Sequence, residues 1–329
     1  MRFLIIQTAF IGDVILATSV VEKLHEKIPD ATIDFLLRKG NESLLENHPF
    51  LNKVIVWDKK KDKLSNLFRI ISSVRKNKYD YIINLHRFAS SGLITALSRA
   101  KEKIGFDKNP LSFFYTKKVR HEIGNGKHEI ERNHELIKKL TDNQPAKPKL
   151  YPSPSDFAAI SNLRSQTLNS KQYICIAPAS VWFTKQLPKE KWIELINLIN
   201  KDAAVYLLGA DSDFALCEEI KNEAHHKLIT NLAGKLSFLE SAALMKDATM
   251  NYVNDSAPLH IASAMKAPIT AVFCSTVTAF GFGPLSDSSK IVETKIKLDC
   301  KPCGLHGFKA CPLVHFKCAL TIEAKDLLY

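Results

Sequence analysis

The chain has 329 residues, enough for two domains at roughly 150 residues each. Hydrophobic residues make up 46% and charged residues 24%, a balance that excludes extended disorder and is typical of a folded globular protein. The formal net charge of +12 favours anionic partners, such as nucleic acid, sugar phosphates or an acidic membrane surface, without choosing among them.

The N-terminus begins with a strand pattern containing Arg2, without the ordered charged, apolar and cleavage regions of a secretion signal. No apolar run reaches the roughly 18 residues that a membrane-spanning helix needs. Basic residues are not interleaved with aromatic residues as in single-strand binders, so net charge alone does not support nucleic-acid binding. We therefore expect a cytoplasmic protein, with peripheral membrane contact left open.

The first half of the chain alternates short β-branched runs with segments of helical periodicity. The predicted strands are 2–8, 31–37, 54–58 and 79–85, and the predicted helices are 14–28, 64–76 and 90–99. This alternation predicts a parallel sheet with crossover helices.

The segment 142–170 differs from its surroundings, because "DNQPAKPKLYPSPS" holds four prolines. Proline is poorly tolerated in helix interiors and central strands, so we place the domain connection here. The predicted domains are 1–155 and 156–329.

The second half repeats the alternation. The predicted strands are 173–177, 204–209, 227–230, 248–253 and 269–273, with helices over 189–200 and 237–246 and others beginning at 213 and 258. We therefore predict two doubly wound, Rossmann-like α/β domains, with a ligand cleft between the carboxyl ends of facing strands.

Gly12 and Asp13 lie where the first predicted strand gives way to the first helix. A dinucleotide fingerprint needs three glycines here, whereas this turn has one glycine and a carboxylate that would repel phosphate. Asp13 is either a helix-capping residue or a general base facing the cleft, and spacing alone does not separate the two.

The segment "ICIAPASVWFTKQLPKEKW" leads from a buried strand through a loop into a helix opened by Pro188. Lys185 in this loop is a candidate phosphate ligand, although a solvated loop lysine is the more common role. Trp192 is expected to pack in the core rather than to stack on a ligand.

The segment "MNYVNDSAPLHIASAMKAP" places a short turn between a strand and a helix opened by Pro258. A helix N-terminus and the Ser256 hydroxyl can donate hydrogen bonds to a phosphate. Asp255 either accepts from sugar hydroxyls or caps the helix. A lone histidine such as His260 is more often a packing residue than a catalyst.

Two further patterns suggest metal ligands. Asp211 and Asp213 form a D-x-D pair that could hold Mg²⁺, but they follow a strand and open a helix, so we favour capping. The tail segment "LDCKPCGLHGFKACPLVHFKC" contains several thiols, for which a structural metal site and reduced cysteines both stay open. Its cysteines are Cys300, Cys303, Cys311 and Cys318.

Four segments together resemble the glycosyltransferase family that includes the ADP-heptose:lipopolysaccharide heptosyltransferases. They are "IGDVILATSV", "APAS" leading to Thr184, Lys185 and "LPKEKW", "NLAGKLSFLESAALM", and "NDSAPLHIASAMKAPITAVF". The resemblance runs over nearly the whole chain, and the cysteine-bearing tail resembles a subset of these enzymes. Members often carry Arg where Gln7 stands and Gly where Ala257 stands.

The resemblance implies the GT-B architecture of two facing Rossmann-like domains and an inverting reaction that requires no metal or other cofactor. The N-terminal domain would bind the acceptor and the C-terminal domain the ADP-sugar, with Asp13 as the general base. The implied donor-binding residues are Thr184, Lys185, Asp255, Ser256, Ala257 and His260.

The expected function is transfer of a heptose or related sugar to an anionic lipopolysaccharide core at the inner face of the inner membrane. The surplus positive charge of the N-terminal half fits such an acceptor, and some of a set of residues there should contact it. The set is Gly12, His86, Arg87, Arg120, Lys127, His128 and Arg132. The alternatives are a nucleotide-sugar epimerase of similar fold and a non-catalytic basic nucleotide- or nucleic-acid-binding module.

Overall fold

The protein forms two compact units in a computed structural model, Met1–Tyr151 and Pro152–Tyr329. The structure describes residues 1–167, 170 and 172–328. The units divide after residue 151, whereas the proline-rich segment led us to divide the domains after residue 155. Each unit is an α/β body built on one parallel sheet.

The N-terminal unit contains a six-stranded sheet in the order β3-β2-β1-β4-β5-β6, and each adjacent pair is parallel. Its strands are β1 (Arg2–Ile6), β2 (Thr32–Arg38), β3 (Lys53–Trp57), β4 (Tyr81–Asn84), β5 (Glu102–Phe106) and β6 (Lys117–Val119). Its helices are α1 (Ile11–Lys27), α2 (Lys63–Lys76), α3 (Ala89–Leu97) and α4 (Glu129–Glu135). The strand order reverses direction between β1 and β4.

Strand β1 shows why the sheet forms, because its residues from Phe3 to Ile6 are fully buried and apolar on both faces. Successive side chains of a strand point to opposite faces, so Leu4 and Ile6 share one face. There they join a core cluster with Ile70 and Val74 of α2. Helices thus cover a continuously apolar strand, as a parallel sheet requires.

The C-terminal unit repeats this plan with the order β12-β11-β10-β7-β8-β9, again parallel throughout. Its strands are β7 (Tyr173–Ala177), β8 (Ala204–Leu207), β9 (Ile229–Asn231), β10 (Met250–Asn254), β11 (Ile269–Val272) and β12 (Ser289–Val292). Its helices are α5 (Pro154–Thr167), α6 (Lys189–Leu198), α7 (Phe214–Glu223), α8 (Phe238–Lys246), α9 (Ala257–Ala264) and α10 (Lys317–Leu320). Trp192 of α6 is fully buried in the core, as predicted.

The prediction of two Rossmann-like folds is confirmed, although several elements were not predicted. These are β5, β6, α4, α5, β12 and α10. Helix α5 was hidden by the prolines, of which Pro154 stands at the first helical position, where its missing amide hydrogen has no cost. Within the described residues, no helix combines the length and apolarity needed to span a membrane.

Candidate functional site

Several of the predicted site residues follow the strands between which the order of each sheet reverses. Open α/β sheets bind ligands beyond the carboxyl ends of the strands at this point. In the N-terminal unit these strands are β1 and β4, which lead to Asp13 and His86. In the C-terminal unit they are β7 and β10, which lead to Lys185 and Asp255.

Asp13 lies in the first turn of α1, where the Phe10 amide donates a hydrogen bond to its Oδ2 atom at 3.1 Å. The capping role considered for Asp13 is therefore present. A carboxylate has two oxygens and about four lone-pair positions, so a capping bond and bonds to other groups can coexist at Asp13. Capping and base catalysis are compatible at this residue.

A polar cluster at the same edge of the sheet joins Thr8, His86 and Lys59. Thr8 Oγ1 lies 3.1 Å from His86 Nδ1, and Lys59 Nζ donates to Thr8 Oγ1 at 2.8 Å and to the Thr8 carbonyl at 3.0 Å. Burial, with the positive charges of Lys59, Arg87 and Arg38, lowers the pKa of His86 to about 3. His86 is thus neutral near pH 7, which changes its expected role from a cation to a neutral hydrogen-bonding group.

Lys59 was missed by the sequence analysis. Burial and the charges of Arg38 and Lys63 lower its pKa to about 8, so it remains largely a cation at neutral pH. The sequence feature that could have identified Lys59 is the run "KKK" immediately after a predicted strand. Sheets of this kind bind ligands at that edge. Lys59, Arg38 and Arg87 form a basic group near the end of β1.

Helix α4 brings a buried ion pair close to Asp13. Arg132 donates to Glu129 at 2.8 Å, and both side chains are more than nine-tenths buried. Burial raises the pKa of Glu129. The negative charge of Asp13 raises this pKa further, whereas the positive charge of Arg132 lowers it. Arg132 belongs to the set of which some members were expected to contact the acceptor, and its buried guanidinium pairs with Glu129 inside the unit.

The other predicted acceptor residues lie in varied surroundings. Arg120 is exposed and pairs with Glu122, and Lys127 pairs with Glu135 at 3.0 Å. His128 caps α4 by accepting from the Ile130 amide, whereas Gly12 lies in the first turn of α1 beside Asp13. Arg87 is half-buried just beyond β4 and is the member of the set nearest in chain position to His86.

In the C-terminal unit, Lys185 and Asp255 form an ion pair. Lys185 Nζ lies 2.7 Å from Asp255 Oδ2, with 15% and 7% of the two side chains exposed. Thr276 also donates to the same oxygen at 2.6 Å. Asp255 therefore holds Lys185 in place, a role that neither the sugar-binding nor the capping interpretation included.

Asn254 fixes the loop that carries Lys185 against the end of β10. Its Oδ1 atom accepts from the Leu187 amide at 3.0 Å, and its Nδ2 atom donates to the Pro178 carbonyl at 2.7 Å. The residue is fully buried, so both bonds lie in a low-dielectric interior where an unpaired amide is costly. The sequence motif contained this residue, but no local pattern revealed its partners.

Thr184 connects the same loop to the tail of the chain. Its hydroxyl accepts from the Phe308 amide at 2.8 Å and from Ser275 at 3.1 Å, and its amide donates to the Phe308 carbonyl at 3.1 Å. Gly307 lies so close that a Cβ atom there would stand 2.8 Å from Thr184 Oγ1. The tail segment therefore packs closely against the Lys185 loop through Gly307 and Phe308.

Helix α9 begins directly after Asp255, with Ser256 as its N-cap. The first turn of a helix leaves amide hydrogens without intrahelical partners, and the helix dipole makes that end favourable for anions. Pro258 removes one of those donors, so the amide of Ala257 gains importance. His260 is buried one turn in, and its ring and that of Phe282 are arranged edge to face with their centroids 6.5 Å apart.

The D-x-D segment forms a short 3₁₀ turn that opens α7. Asp213 Oδ2 accepts from the Ala210 amide at 2.8 Å, a capping contact. The favoured capping interpretation accounts for this geometry.

The four tail cysteines line one cavity of about 200 Å³ together with Thr184 and His315. Cys300 Sγ lies 3.9 Å from His315 Nε2, and burial raises the pKa of Cys318 to about 11. Throughout the described residues, no group of three or more His, Cys, Asp or Glu side chains is arranged to hold a metal ion. Cys300, Cys303, Cys311 and Cys318 are all free thiols, so no disulfide bond joins them.

Comparison with known proteins identifies a family to which this chain is similar. The sequence profile described as Glycosyltransferase family 9 (heptosyltransferase) matches residues 67–307. A lipopolysaccharide heptosyltransferase 3 of Escherichia coli K12 is 30% identical over 281 residues, which cover 82% of this chain and 81% of that protein.

Two solved structures resemble this fold. The E. coli ADP-heptose lipopolysaccharide heptosyltransferase II aligns with a TM-score of 0.79 and 20% identity, covering 92% of this chain and 96% of that one. An E. coli heptosyltransferase determined with ADP aligns with a TM-score of 0.71 and 19% identity, covering 88% and 92%.

Proposed function

This chain belongs to glycosyltransferase family 9, the heptosyltransferase family, and we propose that it transfers a heptose from an ADP-sugar to a lipopolysaccharide core. The relative that is 30% identical carries the name lipopolysaccharide heptosyltransferase, and one structural neighbour was determined with ADP. Both support an adenine nucleotide-sugar as donor and an anionic core saccharide as acceptor.

The observation that carries the proposal is the Lys185–Asp255 pair at the reversal point of the C-terminal sheet. A mostly buried cation beside a helix N-terminus is the chemistry that a diphosphate leaving group needs. Lys185 would meet the negative charge on the departing ADP, and the start of α9 would donate amide hydrogens to it. These groups are already in place before reaction, so we propose that the leaving group departs without help from a metal ion.

Asp13 is the proposed general base. The acceptor hydroxyl would pass its proton to an Asp13 oxygen as its own oxygen forms a bond to the anomeric carbon. The bond from that carbon to the diphosphate oxygen breaks at the same time, and its electron pair leaves with ADP. Attack opposite the leaving group inverts the anomeric configuration in a single displacement.

The proposed acceptor site lies in the N-terminal unit and uses the basic group of Lys59, Arg38 and Arg87. Core acceptors carry carboxylates and phosphates, which these cations would bind. The neutral His86 and Thr8 would hold Lys59 in position rather than bind charge themselves.

The Asp13→Asn variant tests the assignment, because it keeps the size of the side chain and removes the base. We expect transfer from ADP-heptose to a heptose-deficient core acceptor to fall roughly 10²–10⁴-fold. Thermal stabilisation by ADP should remain unchanged, since Asp13 is not in the donor site. Near-normal turnover by this variant would exclude the proposed base.

A reaction with ADP-heptose alone separates transfer from epimerisation. A transferase leaves the sugar of the donor unchanged without an acceptor, whereas an epimerase converts it. Conversion of the nucleotide-sugar in the absence of acceptor would overturn the proposed function.

A further inference from the structure

The outer face of α2 exposes large apolar side chains that its own fold does not need. Leu67, Ile70 and Val74 fill the core on the inner face of this helix. Leu64 and Phe68 lie on the outer face, one helical turn apart, with 69% and 61% of their surface exposed. Since single exposed apolar residues are common, the surroundings of this pair decide its meaning.

Those surroundings are strongly basic. The segment 59–78 contains eight lysines and arginines and one aspartate, a net charge of +7 out of the +12 of the whole chain. More than half of the surplus charge therefore lies in 20 residues around this helix. Among the described residues, no ion pair joins Arg75, Lys76, Lys78 or the nearby Arg99 to a carboxylate.

The charged side chains surround a shallow depression of about 570 Å³ beside Phe68. It is lined by Phe68, Ile71, Ser72, Arg75, Lys76, Lys78 and Arg99. Four cations around an open depression match the size and charge of a phosphate-bearing headgroup, and Ser72 can add a hydroxyl donor.

We propose that this α2 surface, formed by Leu64, Phe68, Arg75, Lys76, Lys78 and Arg99, docks the protein on an anionic lipid bilayer. Cations beside exposed apolar side chains, on one face of a helix, are the pattern of interfacial membrane binding. The cations attract the negative surface, and Leu64 and Phe68 insert among the headgroups and upper acyl chains. The phosphates of a nucleic acid could also bind these cations, but its bases stack on aromatic side chains and would not bind the aliphatic Leu64.

The α2 surface belongs to the same unit as the proposed acceptor site. The loop that joins β3 to α2 contains Lys59, which contacts Thr8 at the edge where the proposed acceptor site lies. Helix α2 therefore follows directly in the chain from the loop that reaches this edge. Docking there would present a membrane-anchored acceptor to Asp13, a consequence that rests on the proposed function, whereas the docking itself does not.

Vesicle flotation tests the docking with the full-length protein. We expect the protein to float with phosphatidylcholine vesicles containing a minority of phosphatidylglycerol, and to dissociate at high salt or from phosphatidylcholine alone. The Leu64→Ser/Phe68→Ser and Arg75→Glu/Lys76→Glu variants should each bind the anionic vesicles at least about tenfold more weakly. The control is Leu198→Ser/Lys227→Glu, which changes an exposed leucine and an exposed lysine of the C-terminal unit and should bind normally.

A Phe68→Trp variant reports insertion directly. Its added fluorescence should shift to the blue and be quenched by brominated acyl chains in anionic vesicles, whereas that of a Leu198→Trp control should not. The proposal is overturned if the wild-type protein does not float or if both double variants float as it does. It is also overturned if the α2 variants lose only salt-sensitive RNA binding.

Because no sugar donor or acceptor is present in the vesicle experiment, its failure would leave the proposed transfer untouched. Failure of Asp13→Asn to lose transfer would likewise leave the docking untouched. Matched unfolding temperatures of the variants and the wild-type protein will show that each variant is folded.

Discussion

Lys185 Nζ lies 2.7 Å from Asp255 Oδ2, although the two residues are separated by 70 positions in the chain. The pair joins the loop after β7 to the turn before α9, so it brings a cation and a helix N-terminus to one place. Both side chains are largely buried, so removing one charge would leave the other buried without its partner.

Replacing Lys185 by Met should therefore affect both catalysis and stability. Donor KM should rise and kcat fall, because the leaving diphosphate loses its cation, and the free energy of unfolding should drop by about 3 kcal/mol as Asp255 loses its partner. Steady-state kinetics and urea unfolding measure the two effects. Lys185→Arg, which retains the charge, should recover most of the stability; equal loss in both variants would contradict an electrostatic role.

Asn254 offers a test of loop positioning, since it holds the Lys185 loop through Pro178 and Leu187. Asn254→Ala should cost about 2–4 kcal/mol in unfolding free energy and also raise donor KM, because two buried hydrogen bonds are lost. The matched control is Asn251→Ala in the same strand, whose amide donates to Met245 and Pro268 away from the loop. A similar stability loss with an unchanged donor KM is expected for that control, and parallel changes in both variants would refute the positioning role.

Gly307 and Gly304 form a second matched pair, in the tail. Both have positive φ angles, +75° and +72°, so an alanine strains the backbone at either position. Only at Gly307 would the new Cβ atom stand within 2.8 Å of Thr184 Oγ1, whereas at Gly304 its nearest neighbour is a Phe308 ring atom at 3.7 Å. Gly307→Ala should thus raise donor KM beyond any effect of Gly304→Ala; identical kinetics would show that the tail does not support the Lys185 loop.

The lowered pKa of Lys59 predicts that acceptor binding depends on pH. Its pKa of about 8 means that it is a cation below that pH and loses its charge as the pH rises above it. KM for an anionic acceptor should therefore rise between about pH 7.5 and 9, while donor KM changes little. Lys59→Arg should flatten the profile, since arginine stays charged throughout. A wild-type profile without this rise would remove Lys59 from the acceptor site.

Much of the fold was predictable because its signals are local. The apolar run of β1, the helical periodicity of α1 and the strand–helix alternation each arise within about 20 residues, and they predicted two Rossmann-like units. Short edge elements such as β6, three residues long, have too little periodicity to detect. Helix α5 was missed because prolines that break a helix interior are tolerated at its start.

The sequence by itself determined the two α/β units and placed Asp13, Lys185 and Asp255 just beyond strand ends, because hydrophobic periodicity and turn residues are read over short distances. Only the tertiary structure decided which of these side chains meet. The pairing of Lys185 with Asp255, the contact of Lys59 with Thr8 across 51 positions and the neutral state of His86 all depend on strand order and burial. Those properties arise when distant strands become neighbours in a sheet, and no local pattern encodes them.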